Sequence, residues 1–283
     1  MSLKMIVLVK QVPDTKNVTG EAMRPDGTVN RDALPAIFNP EDLNALEEAL
    51  KIKDQFGGTL TAISMGPPKA VEVLKDCLYR GADKAILVSD RAFAGSDTLA
   101  TSYALTCAVR RLSGFDLIFC GRQAIDGDTA QVGPQVAEKL GINQLTSVSE
   151  ILSLSADRLE VKRLIEDGYE KLAAPLPVLL TVTSEANEPR SAGAKRVMCF
   201  KKIDCREDAE GTDCWQCEPV DHVKNWNMAS IGADSERCGF SGSATWVKKI
   251  ENVVLTTQET KRIENTDQGV AGLIKELVDE HII

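Results

Sequence analysis

Residues 121–134 read Gly-Arg-Gln-Ala-Ile-Asp-Gly-Asp-Thr-Ala-Gln-Val-Gly-Pro. A glycine-bearing segment between an apolar run and a helix lets backbone N–H groups converge on one point, and the helix start adds a positive partial charge; that is anion-binding chemistry. Arg122 supplies a cation, Gly127 and Gly133 permit close backbone approach, and Thr129 and Gln131 are donors for phosphate or ribose oxygens. The segment matches neither the Walker A pattern nor GxGxxG. On loop chemistry alone, a plain turn with Asp128 capping the next helix stays open as an alternative.

Other reactive side chains offer less. Cysteines stand at 77, 107, 120, 199, 205, 214, 217 and 238. The first three lie in apolar contexts and read as small core residues. Cys214-Trp215-Gln216-Cys217 is a CxxC without a second CxxC at zinc-ribbon spacing, so free thiols are the expectation and no metal site is assigned, with a metal or redox role for Cys205, Cys214, Cys217 and Cys238 as the alternative. The two histidines, His222 and His281, both lie late in the chain and leave little material for a histidine triad.

The loop at 121–134 needs a frame. Lys4–Val9, Thr59–Ser64, Lys84–Ser89 and Phe115–Cys120 are short apolar runs suited to strands buried on both faces. Helical patterns separate them. One starts at Asn39-Pro40-Glu41-Asp42, with Asn39 as cap, Pro40 at the first helical position and two acids at the positive helix end, and stops at Gly57-Gly58. Others span about 69–79 and 98–112, and a fourth is expected from just after Asp128 to Leu140. This alternation predicts an α/β fold, a parallel sheet flanked by helices, Rossmann-like. Ligands bind such sheets at the strands' carboxyl ends. Here those ends are Val9-Lys10, Met65-Gly66, Asp90 and the 121–128 segment, where polar residues and glycines cluster.

After Gly141 the period changes. Val148–Leu154 and Leu159–Ile165 read as a β-hairpin region, and Pro177–Thr183 as a strand returning to the same sheet. Residues 1–184 are therefore expected to form the nucleotide-binding domain. Residues 185–283 are expected to be a loop and long C-terminal arm with weak periodicity, closing in a helix with Val270, Leu273, Ile274, Leu277 and Val278 on one side. An arm of that length calls for a partner subunit to pack on.

The chain has 283 residues, 33 basic and 42 acidic, a formal charge of −9. The acidic balance argues against a general nucleic-acid binder. No apolar run approaches the ~20 residues of a bilayer-spanning helix, so membrane insertion is not expected. The N-terminus lacks the pattern of a secretory signal, and a cytoplasmic location is the expectation.

Four blocks resemble the β subunits of electron transfer flavoproteins, in that family's order: Val9–Asp14 (Val-Lys-Gln-Val-Pro-Asp), Asn39–Leu50 (Asn-Pro-Glu-Asp-Leu-Asn-Ala-Leu-Glu-Glu-Ala-Leu), the 121–134 segment, and Asn187-Glu188-Pro189-Arg190. Gly239–Val247 resembles a later Gly-Ser-Pro-Thr block. The resemblance implies a subunit that pairs with an α subunit as a heterodimer, with the arm wrapping that partner. It also implies a cofactor site at the matching positions. These are Leu8, Val9 and Lys10; Asn39, Pro40, Glu41 and Asp42; Met65 and Gly66; and Arg122, Gln123, Ala124, Ile125, Asp126, Gly127, Asp128, Thr129, Ala130, Gln131, Val132 and Gly133.

The family divides by what fills that site. One group holds AMP as a structural nucleotide. The electron-bifurcating group holds FAD, which takes a hydride from NADH and sends electrons both to ferredoxin or flavodoxin and to the α-subunit FAD that serves a flavin dehydrogenase. Compared with the AMP group, whose loop resembles Ala-Ile-Asp-Asp-Asp-Cys-Asn-Gln-Thr-Gly, this chain has Gly127 and Ala130, smaller residues with one carboxylate fewer. The 90–98 segment also resembles the bifurcating group, so FAD is the expectation and AMP the alternative. A cation near the flavin ring would favour its reduced anionic form, with Arg122 and Lys10 as candidates. No side-chain nucleophile or catalytic base is implied; the redox chemistry belongs to the flavin. Where acyl-CoA dehydrogenase-serving members carry a leucine after Asn-Glu-Pro-Arg, this chain has Ala194, which puts a partner of the acyl-CoA dehydrogenase type in question unless Val197 or Met198 takes the anchor's place. A nucleotide-binding protein of the universal-stress type is the remote rival.

Overall fold

A computed structural model describes residues 2–14, 35–112, 114–207, 222–245, 263 and 266–279. The first strand, β1 (Lys4–Leu8), is buried from its second residue on. A short antiparallel pair follows, β2 (Gln11–Pro13) and β3 (Ala36–Phe38), which hands the chain to α1 (Pro40–Phe56). Then come β4 (Thr59–Met65), α2 (Val71–Arg80), β5 (Lys84–Val88), α3 (Thr98–Arg111), β6 (Leu117–Gly121) and α4 (Val132–Leu140). Next are β7 (Asn143–Leu154), β8 (Arg158–Ile165), β9 (Gly168–Pro175) and β10 (Val178–Val182). The remaining described elements are α5 (Ala194–Phe200), β11 (Asp204–Glu207), β12 (His222–Trp226), α6 (Gly239–Gly242) and α7 (Asp267–Asp279).

Ten of the described strands form one sheet in the order β11-β12-β5-β4-β1-β6-β10-β7-β8-β9. All neighbours are parallel except β7–β8 and β8–β9, the antiparallel extension at one edge. Side-chain alternation along each strand divides the core into two layers. Val7, Leu60, Ala62, Leu87 and Phe119 meet Leu46, Ala49 and Leu50 of α1 and Leu74 and Leu78 of α2 on one face. Ile6, Leu8, Ile63, Ile86 and Ile118 meet Ala104 and Ala108 of α3 and Val136 and Ala137 of α4 on the other.

The expected fold is therefore present, with the hairpin region on the same sheet and β10 inserted between β6 and β7. Two expectations change. The expected arm, 185–283, does not lie wholly outside the sheet, because β12 pairs in parallel with β5 and carries β11 beyond it. Trp226 is 2 % exposed. The helix after the 121–128 segment begins at Val132 rather than just after Asp128, because the backbone at Asp128 and Ala130 is left-handed.

The connections around β1 and β6 diverge. The chain leaves β1 through α1 toward β4 on one side, while α4 leaves β6 toward β7 on the other. That is a topological switch point, where the loops part and open a crevice at the strands' carboxyl ends. The sequence-predicted site lies there.

Candidate nucleotide site

The head of α1 closes the floor of the crevice. Asp42, 6 % exposed, accepts from the backbone N–H of Lys10 through Oδ2 at 2.8 Å and from that of Gly121 through Oδ1 at 2.8 Å. One carboxylate thus ties the end of β1 to the end of β6. Burial pushes its pKa up to about 7, against the lowering effect of these hydrogen bonds. Glu41 accepts from the Arg122 guanidinium at 2.9 Å and from the Gln123 N–H at 2.9 Å. Asn39, fully buried, donates to the Gln123 carbonyl at 2.9 Å and accepts from the Ile125 N–H at 3.2 Å.

Asn39 precedes α1 but its side chain does not cap it. The position and residue type suit a cap, but the side chain is taken by the 123–125 backbone instead, and Pro40 removes one orphan donor of the helix start.

Beyond Ile125 the loop turns outward. Gly127 and Asp128 both donate to the Ala124 carbonyl, at 3.3 and 2.9 Å. Asp128 (φ 47°) and Ala130 (φ 51°) are left-handed. Such residues cannot continue a right-handed helix, so α4 waits until Val132 and is preceded by Gln131 rather than capped by Asp128. Alternating backbone hand in a loop of this kind turns successive N–H groups to one side, the geometry of an anion-binding nest.

The two glycines divide the work. A Cβ placed on Gly127 would meet nothing within 4 Å, so this side of the loop is open. A Cβ on Gly133 would lie 2.7 Å from Cys120 Sγ and 3.0 Å from Thr181 Cγ2. Gly133 therefore serves the close approach of α4 to the sheet, not that of a ligand to the loop.

The cations are not free. Lys10 Nζ lies 2.7 Å from both Asp126 oxygens and Arg122 pairs with Glu41. With both positive side chains balanced, charge on an incoming anion would be met chiefly by backbone N–H groups and the start of α4. Thr129 and Gln131 are exposed; the Gln131 amide oxygen accepts from Thr98 at 2.8 Å, tying the loop to the head of α3. Leu8 and Val9 are buried in the core on opposite faces of the sheet, so among the β1 positions the backbone and Lys10 reach the crevice. Met65 and Gly66 end β4, where the Gly66 N–H donates to the Val88 carbonyl at 3.1 Å.

The head of α3 is fixed by a segment to which the sequence alone assigns no role in the site. Asp97 caps α3 through the Leu99 and Ala100 N–H groups and also accepts from Thr245 N and Oγ1 at 3.0 Å. Gly239 fits because a Cβ there would lie 2.3 Å from the Ala92 carbonyl oxygen. The only advance signal was that Gly239–Val247 belongs to the same set of family-like blocks.

An electron transfer flavoprotein domain model matches residues 26–204. The chain belongs to the electron transfer flavoprotein family. It is 41 % identical to the electron transfer flavoprotein subunit beta of Clostridium acetobutylicum, covering 99 % of this chain and 100 % of that one. It is 40 % identical to the caffeyl-CoA reductase-Etf complex subunit CarD of Acetobacterium woodii over 99 % and 100 %, and 42 % identical to Protein FixA of Azotobacter vinelandii over 95 % and 90 %. This electron transfer flavoprotein chain is thus similar to β-type subunits along its whole length, which removes the universal-stress rival.

Among the described residues of the flavoprotein chain no cluster of His, Cys, Asp and Glu could hold a metal ion, and no helix is long and apolar enough to cross a membrane. Cys77 and Cys120 are buried free thiols, and Cys107 is half-buried. Cys214, Cys217 and the side chain of Cys205 fall outside the described residues. In α5, Ala194 is exposed and Met198 is 66 % exposed.

Proposed function

We propose that this chain is the β subunit of a heterodimeric electron transfer flavoprotein of the electron-bifurcating group, with FAD held in the crevice between the ends of β1 and β6. The observation that carries the reading is the loop from β6 to α4. Its left-handed Asp128 and Ala130 shape a backbone anion site, and the space beside Gly127 is open. A dinucleotide needs such a cradle for its pyrophosphate and room beyond it for a ring system. The residues present fit that group to this extent: a Cβ on Gly127 would meet nothing within 4 Å.

FAD bound there would accept a hydride from NADH and release the electrons along two routes, one to ferredoxin or flavodoxin and one to the α-subunit flavin. The chain's own contribution is binding and orientation. Backbone N–H groups of 129–132 would hold the phosphates, since those of Gly127 and Asp128 are taken by the Ala124 carbonyl; Gln131 and Thr129 offer donors, and Lys10 and Arg122 stand at the rim with their charges balanced by Asp126 and Glu41. The subunit pairing is supported by α7, whose Val270, Ile274 and Val278 are 47, 50 and 50 % exposed at i, i+4 and i+8, an apolar stripe suited to a partner subunit. A flavin dehydrogenase as final acceptor is supported by the caffeyl-CoA reductase complex named for one relative.

The test is cofactor stoichiometry. Nucleotides released from the purified heterodimer should amount to two FAD per complex, and NADH should bleach the flavin. One FAD and one AMP would instead assign the crevice to a structural nucleotide.

A further inference from the structure

The acids and amide at the head of α1 are bonded to the protein's own groups. Every polar atom of the Asn39, Glu41 and Asp42 side chains is engaged: Asn39 with Gln123 O and Ile125 N, Glu41 with Arg122 and Gln123 N, Asp42 with Lys10 N and Gly121 N. The Glu41 side chain is 9 % exposed. With each oxygen already accepting from the loop and little surface left, this carboxylate is poorly exposed to a ligand's hydroxyls.

Asp42 and Glu41 also differ in what they hold. Asp42 ties strand ends that the sheet ladder already fixes, since β1 and β6 pair directly. Glu41 holds the Arg122 side chain and the Gln123 N–H, just at and beyond the last ladder bond, which runs from the Arg122 N–H to the Val182 carbonyl at 2.9 Å. Its partners, the Gln123 N–H and the Arg122 side chain, begin the loop that ends in the left-handed turn at Asp128 and Ala130. From Gln123 on, the path of the loop is therefore set by the head of α1 rather than by strand pairing, with Glu41 at the Gln123 N–H and Asn39 at the Gln123 carbonyl and the Ile125 N–H. The Glu41 carboxylate belongs to the first turn of α1, at the helix's positive end.

We infer that Glu41 is a positioning residue of the nucleotide site, acting through Arg122 and Gln123 on the path of the phosphate-binding loop and not by contact with the nucleotide. The inference rests on the proposed site in the crevice but not on which nucleotide fills it. Because Arg122 is held by Glu41, the guanidinium works as part of the loop's anchor and its loss alone leaves Glu41 still bonded to Gln123.

The experiment titrates the full chain, purified with any subunit that accompanies it and stripped of nucleotide, with FAD, AMP and 2′,3′-dideoxy-AMP. Glu41→Ala should weaken the probe that the wild type binds by at least tenfold. Glu41→Gln, which retains one acceptor, should recover part of that loss. Arg122→Ala should cost less than Glu41→Ala, and the double variant should bind no worse than Glu41→Ala alone. The urea midpoint of the nucleotide-free protein should move little in Glu41→Gln. The factor lost should be the same for AMP and its dideoxy analogue, because no ribose contact is removed.

Binding by Glu41→Ala within twofold of wild type overturns the inference. So does a loss confined to AMP and absent for the dideoxy form, which would make Glu41 a ribose ligand. A loss that tracks unfolding in both variants would make it purely structural. Wild-type preference for AMP over FAD would overturn the flavin reading while leaving the Glu41 effect to stand, and binding of neither probe would overturn both.

Discussion

Arg190 grips Glu47 across 143 residues of sequence, with its backbone N–H at 3.0 Å and its guanidinium at 2.8 and 3.0 Å from the two carboxylate oxygens. Asn187 locks beside it, exchanging hydrogen bonds with Asn44 at 2.8 and 2.9 Å and donating to Glu48 at 2.9 Å. Two blocks that look like separate motifs in the sequence are thus two halves of one joint, with α1 as the shared rod. Its head holds the nucleotide loop and its flank holds the segment leading to α5.

The joint should be measurable. Arg190→Ala leaves Glu47, 6 % exposed, without its charged partner. Breaking a buried pair typically costs 3–5 kcal/mol, and with Arg190 itself one-third exposed the loss here should be about 2 kcal/mol. Arg190→Lys should recover only part, because an ammonium cannot reproduce the fork. Equilibrium urea unfolding reads this directly. An unchanged midpoint in Arg190→Ala would show that the Asn187–Asn44 bonds carry the joint alone.

Asp42 gives the fold a pH dependence of unusual sign. Its folded pKa of about 7 lies above the unfolded value near 3.8, because burial opposes the charge. Between those values the folded state binds the extra proton, so its stability falls as pH rises through that window. Across the whole window the loss is roughly 4 kcal/mol, at about 1.4 kcal/mol for each pH unit. Asp42→Asn should be less stable near pH 5 because one backbone N–H loses its acceptor, yet its stability should fall less between pH 5 and pH 7.5. Urea midpoints of the two proteins at both pH values make the comparison, and parallel pH slopes would refute it.

The alternation of strands and helices through residue 140 was legible because strands buried on both faces show as unbroken apolar runs, and helices between them show their starts and stops. The crevice where the candidate site lies was legible from the strand ends. What stayed hidden was set by contacts distant in sequence. Asn39 has the type and position of a cap, but its side chain is claimed by residues 84 and 86 positions away. Ala130 adopts left-handed backbone that its residue type does not announce, and Asp128 does so as a type that tolerates it without requiring it. The pairing of Lys10 with Asp126 and of Arg122 with Glu41 was not legible because these acids lie 116 and 81 positions away. β12 was missed because a five-residue strand containing Lys and Asn owes its place to parallel pairing with β5, not to its own pattern.

Gly133 should tolerate no side chain, for a reason separate from ligand binding. An alanine Cβ there would press on Cys120 Sγ at 2.7 Å and Thr181 Cγ2 at 3.0 Å, forcing α4 away from β6 and β10. Overpacking of this kind costs about 1–3 kcal/mol. Gly133→Ala should lower the urea midpoint of the nucleotide-free chain, whereas Gly127→Ala should not, since its Cβ would stand in open space. Equal destabilisation by both would contradict this division between the packing glycine and the loop glycine.

The Thr245 contact to Asp97 ties the late Gly239–Thr245 block to the head of α3, and through Thr98 to Gln131 of the loop. Thr245→Val keeps the shape and the backbone N–H bond but removes the hydroxyl donor. One hydrogen bond to a carboxylate is worth about 1.5–3 kcal/mol when buried, and at this exposed site about 1 kcal/mol is expected. Nucleotide affinity should fall several-fold while Gly127 and its neighbours are untouched. An unaltered affinity would show that the block fastens α3 without influencing the loop.

The apolar stripe of α7 makes the last prediction. Val270, Ile274 and Val278 each expose about half their surface on successive turns, and the helix carries its charged residues elsewhere. Scattered exposed aliphatics need no explanation, but a repeat at four-residue spacing on one helix face does. Covered by a partner subunit, each would contribute about 1.5 kcal/mol or somewhat less, given its partial burial already. Val270→Ser with Ile274→Ser should therefore weaken heterodimer formation on the order of 100-fold, since every 1.4 kcal/mol is tenfold. The urea midpoint of the sheet should be unaffected, because neither residue belongs to its core. Size-exclusion chromatography across a dilution series distinguishes the outcomes. A double variant that holds its partner as tightly as the wild type at every dilution would remove α7 from the subunit interface.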